Sequence, residues 1–346
     1  MKFIAGLAAL VSVALAAPSR APTPLDIKLE MVGNSAVKAT VTNVGKNSLK
    51  LLKTGTFLDT SAVERVTVTS DAKKLDFDGI KLRIAIDSLT EDSFQRIGAS
   101  ESIEVTFDVA EVYDLSQGGI FKIASSGVIS AAEEDDTKLV KSVPYWSNEV
   151  EADVNGEEAS FARIAFHQKR VIVQDCTGTR GTVTTTALSN CASLARAAST
   201  AASSGSAAKI EEYFKSSSSS TRSTVSTVFS RVASECGSRT SGMSRYYCSD
   251  PYGACSSNVL AYTVPSASIT AYCNLYFNNL PALTRTCHAQ DQAGTNVHEM
   301  THLTQIRGTS DYSGYGYNYV RSLTAAQNLN HADTYALFAN AIYAGC

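Results

Sequence analysis

Apolar and polar residues alternate early in the chain and later cease to. LDIKLEMVGNSAVKATVTNVG (25–45), ERVTVTS (64–70) and ESIEVTFDVAEVYDL (101–115) place apolar side chains at every second position, with Gly and Asn between the runs. A period of two predicts antiparallel strands, and the expected product is a small β-sandwich. Further on the period changes. In TTALSNCASLARAASTAASS (185–204), AAKIEEYFKSSSSSTRSTVSTVFSRVASEC (207–236) and NLNHADTYALFANAIYAG (328–345) the larger apolar residues recur three and four apart among Ala, Ser and Thr. These read as helices, with Ser216 to Ser220 a loop or exposed turn rather than a binding motif. The fold class is α+β: a mostly β N-terminal domain followed by a mostly helical one with a small β element.

Cysteine usage falls on the same division. The 346 residues suffice for two domains. All eight cysteines, Cys176, Cys191, Cys236, Cys248, Cys255, Cys273, Cys287 and Cys346, lie in the helical part. The chain opens MKFIAGLAALVSVALAA, with one early lysine, a long apolar run and the small-x-small pattern Ala14-Leu15-Ala16. That is the composition of a secretory signal peptide over 1–17, and an even cysteine count behind it implies disulfides. The expected product is secreted and extracellular, with no membrane span. Just before the first cysteine, AFHQKR ends in Lys169-Arg170. A dibasic pair at a composition boundary marks 18–170 as a propeptide, cut by a kexin-like processing protease, and 171–346 as the mature domain beginning at Val171. Lys73-Lys74 is the other dibasic pair, inside a strand-like pattern whose buried backbone would resist cutting.

Charge agrees with this cut. Residues 18–170 carry 24 Asp+Glu against 18 Lys+Arg, net −6, and residues 171–346 carry 9 against 11, net +2. The halves are weakly complementary, as a leader that packs on its own enzyme as inhibitor or folding aid would be. Neither half has the basic density of a nucleic-acid binder, and a monomer is expected.

The chemistry sits in NVHEMTHLTQIRGTSDYSGYGYNY (296–319). On a helix, His298 and His302 project from one face, close enough to share one ion at about 2.0–2.1 Å each. Glu299, turned to the neighbouring face, reaches water beside the ion and is placed as a general base. For a third ligand, a histidine at 308 is excluded because Gly308 stands there, and no glutamate follows Glu299. Asp311, His331 and Asp333 remain. Asp311 is favoured, because Gly308 can end the helix and turn the chain back.

HEMTH followed by GTSDYSGYGY resembles the deuterolysin family of secreted fungal metalloendopeptidases, the aspzincins, whose pattern is H-E-x-x-H with a later G-T-x-D-x-x-Y-G-Y. The likeness extends to the signal peptide, the cysteine-free leader, the Lys-Arg junction, Asp175-Cys176 and the C-terminal ADTYALFANAIYAGC. It implies a zincin-like catalytic domain acting on protein and peptide substrates. One Zn2+ per chain would be held by His298, His302 and Asp311, with Glu299 as base and a tyrosine after the aspartate stabilising the oxyanion. Here the Y-G-Y tyrosine falls four positions after Asp311 instead of three, which makes Tyr315 the choice and Tyr312 the alternative. The resemblance also suggests the disulfides Cys176–Cys248, Cys255–Cys273 and Cys287–Cys346, leaving Cys191 and Cys236 as a fourth pair.

Lysine-specific relatives carry Asp and Glu three apart in the pocket beyond the scissile bond. The corresponding run here is Asp333-Thr334-Tyr335-Ala336. A single, partly solvated carboxylate at Asp333 gives a broad endopeptidase with a mild preference for basic or small residues, unless Asp291 completes the pocket. With no cysteine, the leader can silence zinc only by steric cover or through His167. The rival reading is a secreted, disulfide-rich binding protein with a non-catalytic metal site, but a structural zinc is normally closed by four protein ligands and three can be named.

Overall fold

The computed structural model describes residues 22–168, 175–238 and 242–346. The signal-peptide stretch, Lys169-Arg170 and Val171 lie outside them. Among the described residues the N-terminal half runs through β1 (Leu25–Met31), β2 (Ala36–Asn43), β3 (Leu49–Leu52), β4 (Thr67–Ser70), β5 (Lys73–Lys74), β6 (Lys81–Ile84), β7 (Phe94–Ile97), β8 (Ser102–Asp108), β9 (Gly119–Ala124), β10 (Ser126–Ala132), β11 (Leu139–Trp146), β12 (Val150–Val154) and α1 (Gly156–Gln168). The C-terminal half continues with α2 (Gly178–Ser204), α3 (Ala207–Phe214), α4 (Ser219–Gly237), β13 (Arg245–Tyr247), β14 (Val259–Val264), β15 (Ile269–Tyr272), α5 (Asn274–Asn279), α6 (Gln292–His302), α7 (Gly316–Ser322), α8 (Ala325–Asn328) and α9 (Ala332–Ala344).

The alternating runs form the strands their period predicts. In β2 every second residue is buried, and antiparallel pairing sets Ile27 against Val41 and Leu29 against Ala39 on the core face. The expected two-sheet sandwich is not what forms. The strands make three sheets, ordered β1-β2-β8, β11-β10-β3-β7 and β12-β9-β4-β5, around one core that includes Ile27, Val41, Leu51, Val68, Ile123 and Ile129. The strand reading also passes over α1, which starts where Asn155 Oδ1 accepts from the amides of Glu157 at 2.9 Å and Glu158 at 3.2 Å. Lys73-Lys74 does lie in a strand, but a two-residue one with both side chains exposed.

In the C-terminal half the small residues of α2 and α4 let these helices pack closely, and Cys191–Cys236 ties one to the other. Of the serine run expected as a loop or turn, Ser216, Ser217 and Ser218 lie outside the helices, but Ser219 and Ser220 form the first turn of α4, and Ser218 caps it, accepting from the Thr221 amide. The last predicted helix is broken in two, because Leu329–His331 turn between α8 and α9. Both α6 and α9 are buried and pack on each other, with Phe214, Phe229, Tyr335 and Phe338 meeting mostly edge to face beside them. The remaining bridges are Cys176–Cys248, Cys255–Cys273 and Cys287–Cys346, and among the described residues no cysteine is free.

A fourth sheet, ordered β13-β15-β14-β6, joins the halves, for β6 comes from the strand-rich half. A mixed core of Ile80, Leu82 and Phe166 with Tyr247, Val259 and Tyr262 covers this junction.

Candidate metal centre

The site is built on α6, whose N-terminus is capped by Asp291. One carboxylate oxygen accepts from the Gly294 amide at 2.6 Å and the other from the Thr284 amide at 2.8 Å. Both oxygens of Asp291 are thus engaged in positioning the helix. One helical turn brings His298 and His302 together, their Nε2 atoms 3.1 Å apart. The helix ends at His302, earlier than the expected break at Gly308. The chain turns through 303–308, and Gly308, with φ of 67°, completes the reversal in a backbone region that favours glycine. Asp311 then returns to the histidines, its Oδ1 3.3 Å from each Nε2.

Three facing ligand atoms at 3.1, 3.3 and 3.3 Å match the separation of about 3.3 Å that tetrahedral geometry gives at zinc–ligand distances of about 2.0–2.1 Å. Two buried carboxylate oxygens at the site, Asp311 Oδ1 and Glu299 Oε1, have no hydrogen-bond partner. That donor set, with one acceptor left over beside it, fits a metal and a water. Both outer ring nitrogens are held: His302 Nδ1 lies 3.0 Å from the Thr309 carbonyl, and His298 Nδ1 lies 3.1 Å from Asp333 Oδ1. These contacts turn both Nε2 atoms toward Asp311 Oδ1, where they would face a shared ion.

Electrostatics follow burial. Burial pushes Glu299 up to about 7, against the opposing pull of His302 and a hydrogen bond donated by Thr263 to Oε2 at 2.6 Å. Burial and the Arg83 charge keep His298 well below the usual histidine range. Burial would raise Asp311, but His302 and His298 hold it well below the ordinary carboxylate value, and Asp311 in turn raises His302.

The other expected residues fall elsewhere. His331 is the N-cap of α9, with Nε2 3.1 Å from the Asp311 carbonyl and Nδ1 facing Thr334, so it supports the ligand loop. Asp333 is only 3 % exposed rather than partly solvated, and its second oxygen accepts from the Gly316 amide at 3.1 Å. Tyr312 stacks on His331 and its hydroxyl accepts from Asn330. Tyr315 is buried in a cluster with Leu52, Ile84, Leu89 and Phe94 of the N-terminal half. His167 does not approach the ligands and lies 3.2 Å from the Asp78 carboxylate.

Three participants escaped the sequence reading. Thr263, on β14, orients Glu299, and Thr309 anchors His302. Arg83, 3 % exposed, forms an ion pair with Asp333 and places Nη1 2.9 Å from His298 Nδ1. Burial lowers its pKa to about 10, so it remains charged at neutral pH. Sequence signals for these contacts are lacking, since Arg83 and His298 stand 215 positions apart.

The whole chain, residues 1–346, matches the deuterolysin metalloprotease (M35) family. The chain belongs to that family. It is 55 % identical over 351 residues to a neutral protease 2 homolog of Colletotrichum graminicola and 52 % identical over 356 residues to one of Phaeosphaeria nodorum, each match covering 100 % of both chains. Among solved structures, a zinc peptidase from Grifola frondosa aligns with TM-score 0.40 and 23 % identity, covering 48 % of this chain and 97 % of that one. This deuterolysin-family chain is a zinc metalloendopeptidase. The family is the one its HEMTH and GTSDYSGYGY motifs resemble.

Proposed function

We propose that this deuterolysin-family chain is made as a latent, secreted preproprotein, with signal peptide 1–17, propeptide 18–170 and catalytic domain 171–346. One zinc ion would be held by His298, His302 and Asp311. The observation that carries this reading is the triangle of ligand atoms with the unpartnered Glu299 Oε1 beside it. When bound, zinc acidifies water and polarises the substrate carbonyl as a Lewis acid. Glu299, with Oε2 fixed by Thr263, takes the proton of the attacking water on Oε1 and delivers it to the leaving amine. Tyr315 donates its hydroxyl to the developing oxyanion once it leaves the cluster that buries it in the precursor.

Asp333 lines the pocket for the residue after the scissile bond. The substrates are proteins and peptides cut broadly, with a preference for a basic residue at that position. The chain works as a monomer after a kexin-like protease has cut behind Arg170. The test is casein digestion by the catalytic domain 171–346 after its propeptide has been cut and removed. A chelator is expected to abolish digestion and added zinc to restore it, whereas digestion that survives chelation, or never occurs, overturns the reading.

A further inference from the structure

By sequence β6 lies in the N-terminal half, but by hydrogen bonding it belongs to the C-terminal sheet. It pairs antiparallel with β14 and sets Lys81 against Thr263, Leu82 against Tyr262, Arg83 against Ala261 and Ile84 against Val259. With β15 on its other side, β14 has β6 as its outer neighbour. β14 also carries Thr263, the partner of Glu299. A sheet edge beside a catalytic group is where an extended peptide backbone docks by strand addition.

Side chains lock this arrangement. The Arg83 guanidinium pairs with Asp333 and also faces Nδ1 of His298, competing for the carboxylate oxygen toward which that nitrogen points. Just past the strand, Gln290 Nε2 donates to the Ile84 carbonyl at 2.8 Å and its Oε1 accepts from the Ile86 amide at 3.2 Å. On the other flank Asn258 exchanges hydrogen bonds with Thr54 and accepts from the Ala85 amide. Tyr315 is enclosed by Leu52, Ile84 and Phe94, and its hydroxyl occupies the space over Gly55. A Cβ at Gly55 would come within 2.8 Å of that hydroxyl, and with φ of 74° the position is doubly suited to glycine.

Resting on the protease reading, we propose that Lys81–Ile84 is a tethered plug, an extended strand on the β14 edge with the Arg83 side chain seated on Asp333. Cutting behind Arg170 then leaves the site closed until this strand is released or digested. The cut and the plug lie on different parts of the chain, and the backbone pairing, the Arg83 ion pair and the Tyr315 cluster hold without the covalent link. The surface at β14 accordingly takes an extended peptide with a cationic side chain in register with Ala261.

The experiment uses the full chain carrying Glu299→Gln, which prevents self-digestion. Limited trypsin treatment is expected to cut at Lys169-Arg170 and to leave the Arg83–Ile84 bond intact, with both fragments co-eluting from a sizing column under native conditions. Early cleavage after Arg83, or separate elution, overturns the plug. Adding Arg83→Ala should speed fragment separation roughly tenfold or more, with Arg83→Lys between. An unchanged rate in a folded variant overturns the role of Arg83, and if that variant does not fold, the trypsin pattern of the parent decides alone. None of these readouts depends on turnover. Failure of the wild-type catalytic fragment to digest casein after the strand has been separated from it would overturn the protease reading and leave the plug standing.

Discussion

Glu299 and Asp311 sit side by side in the site but face different demands. Glu299 uses one oxygen on Thr263 and presents the other without a partner, whereas Asp311 Oδ1 lies equally close to both histidines. Glu299→Gln is therefore expected to retain zinc and lose nearly all turnover, while Asp311→Ala should lose much of the zinc as well. Metal content by atomic absorption, read beside casein digestion, checks both, and normal zinc binding by active Asp311→Ala would move the third ligand elsewhere. Specificity also belongs to single residues. A solvated carboxylate would give about a fivefold preference for lysine or arginine, but Asp333 is buried and already pairs with an arginine. Cleavage sites from a mixed peptide library, read by mass spectrometry, should favour a basic residue after the cut by more than that, and an even distribution would remove Asp333 from the pocket.

At the level of elements, the segment leading into β6 is tied down by charge. Glu64 Oε2 lies 2.5 Å from Lys81 Nζ, its Oε1 lies 3.2 Å from Lys74 Nζ, and Ser310 beside the ligand loop donates to it at 3.4 Å. Burial acts to raise the Glu64 pKa, but the two lysines prevail and push it down to about 2. A depressed carboxylate stabilises the fold fully above its unfolded value near 4.3, and that stability is lost as pH falls toward the folded value. Melting temperatures of the Glu299→Gln chain with and without Glu64→Gln are expected to differ most above about pH 5 and to converge near about pH 2. A difference that does not depend on pH would show that the ion pairs contribute nothing.

For the whole molecule the expectation concerns processing. A net charge of −6 over residues 18–170 and +2 over 171–346 gives two complementary bodies, and contacts from Glu64 to Ser310, from Gly55 to Ser313 and from Arg83 to Asp333 join them. The secreted, active protein is expected to begin at Val171. N-terminal sequencing that found Ala17 or Pro18 instead would exclude a removable leader.

Periodicity alone determined β1, β2, β4 and β8 and the helices α2, α3, α4 and α9, because a buried face must recur every two or every 3.6 residues whatever it packs against. The spacing of His298 and His302 determined their common face in the same way, and elimination of other donors pointed to Asp311. The motifs that carry the family resemblance are likewise local. Tertiary structure alone decided that β6 crosses to the other half, that Thr263 and Thr309 orient Glu299 and His302, and that Asp333 is buried beneath Arg83. It also replaced the expected sandwich with three sheets and left His167 on Asp78. These outcomes depend on which surfaces meet across gaps such as the 215 positions from Arg83 to His298. A contact at that separation leaves no period or spacing in the chain, since its free energy comes from desolvation and pairing that exist only once both halves have folded against each other.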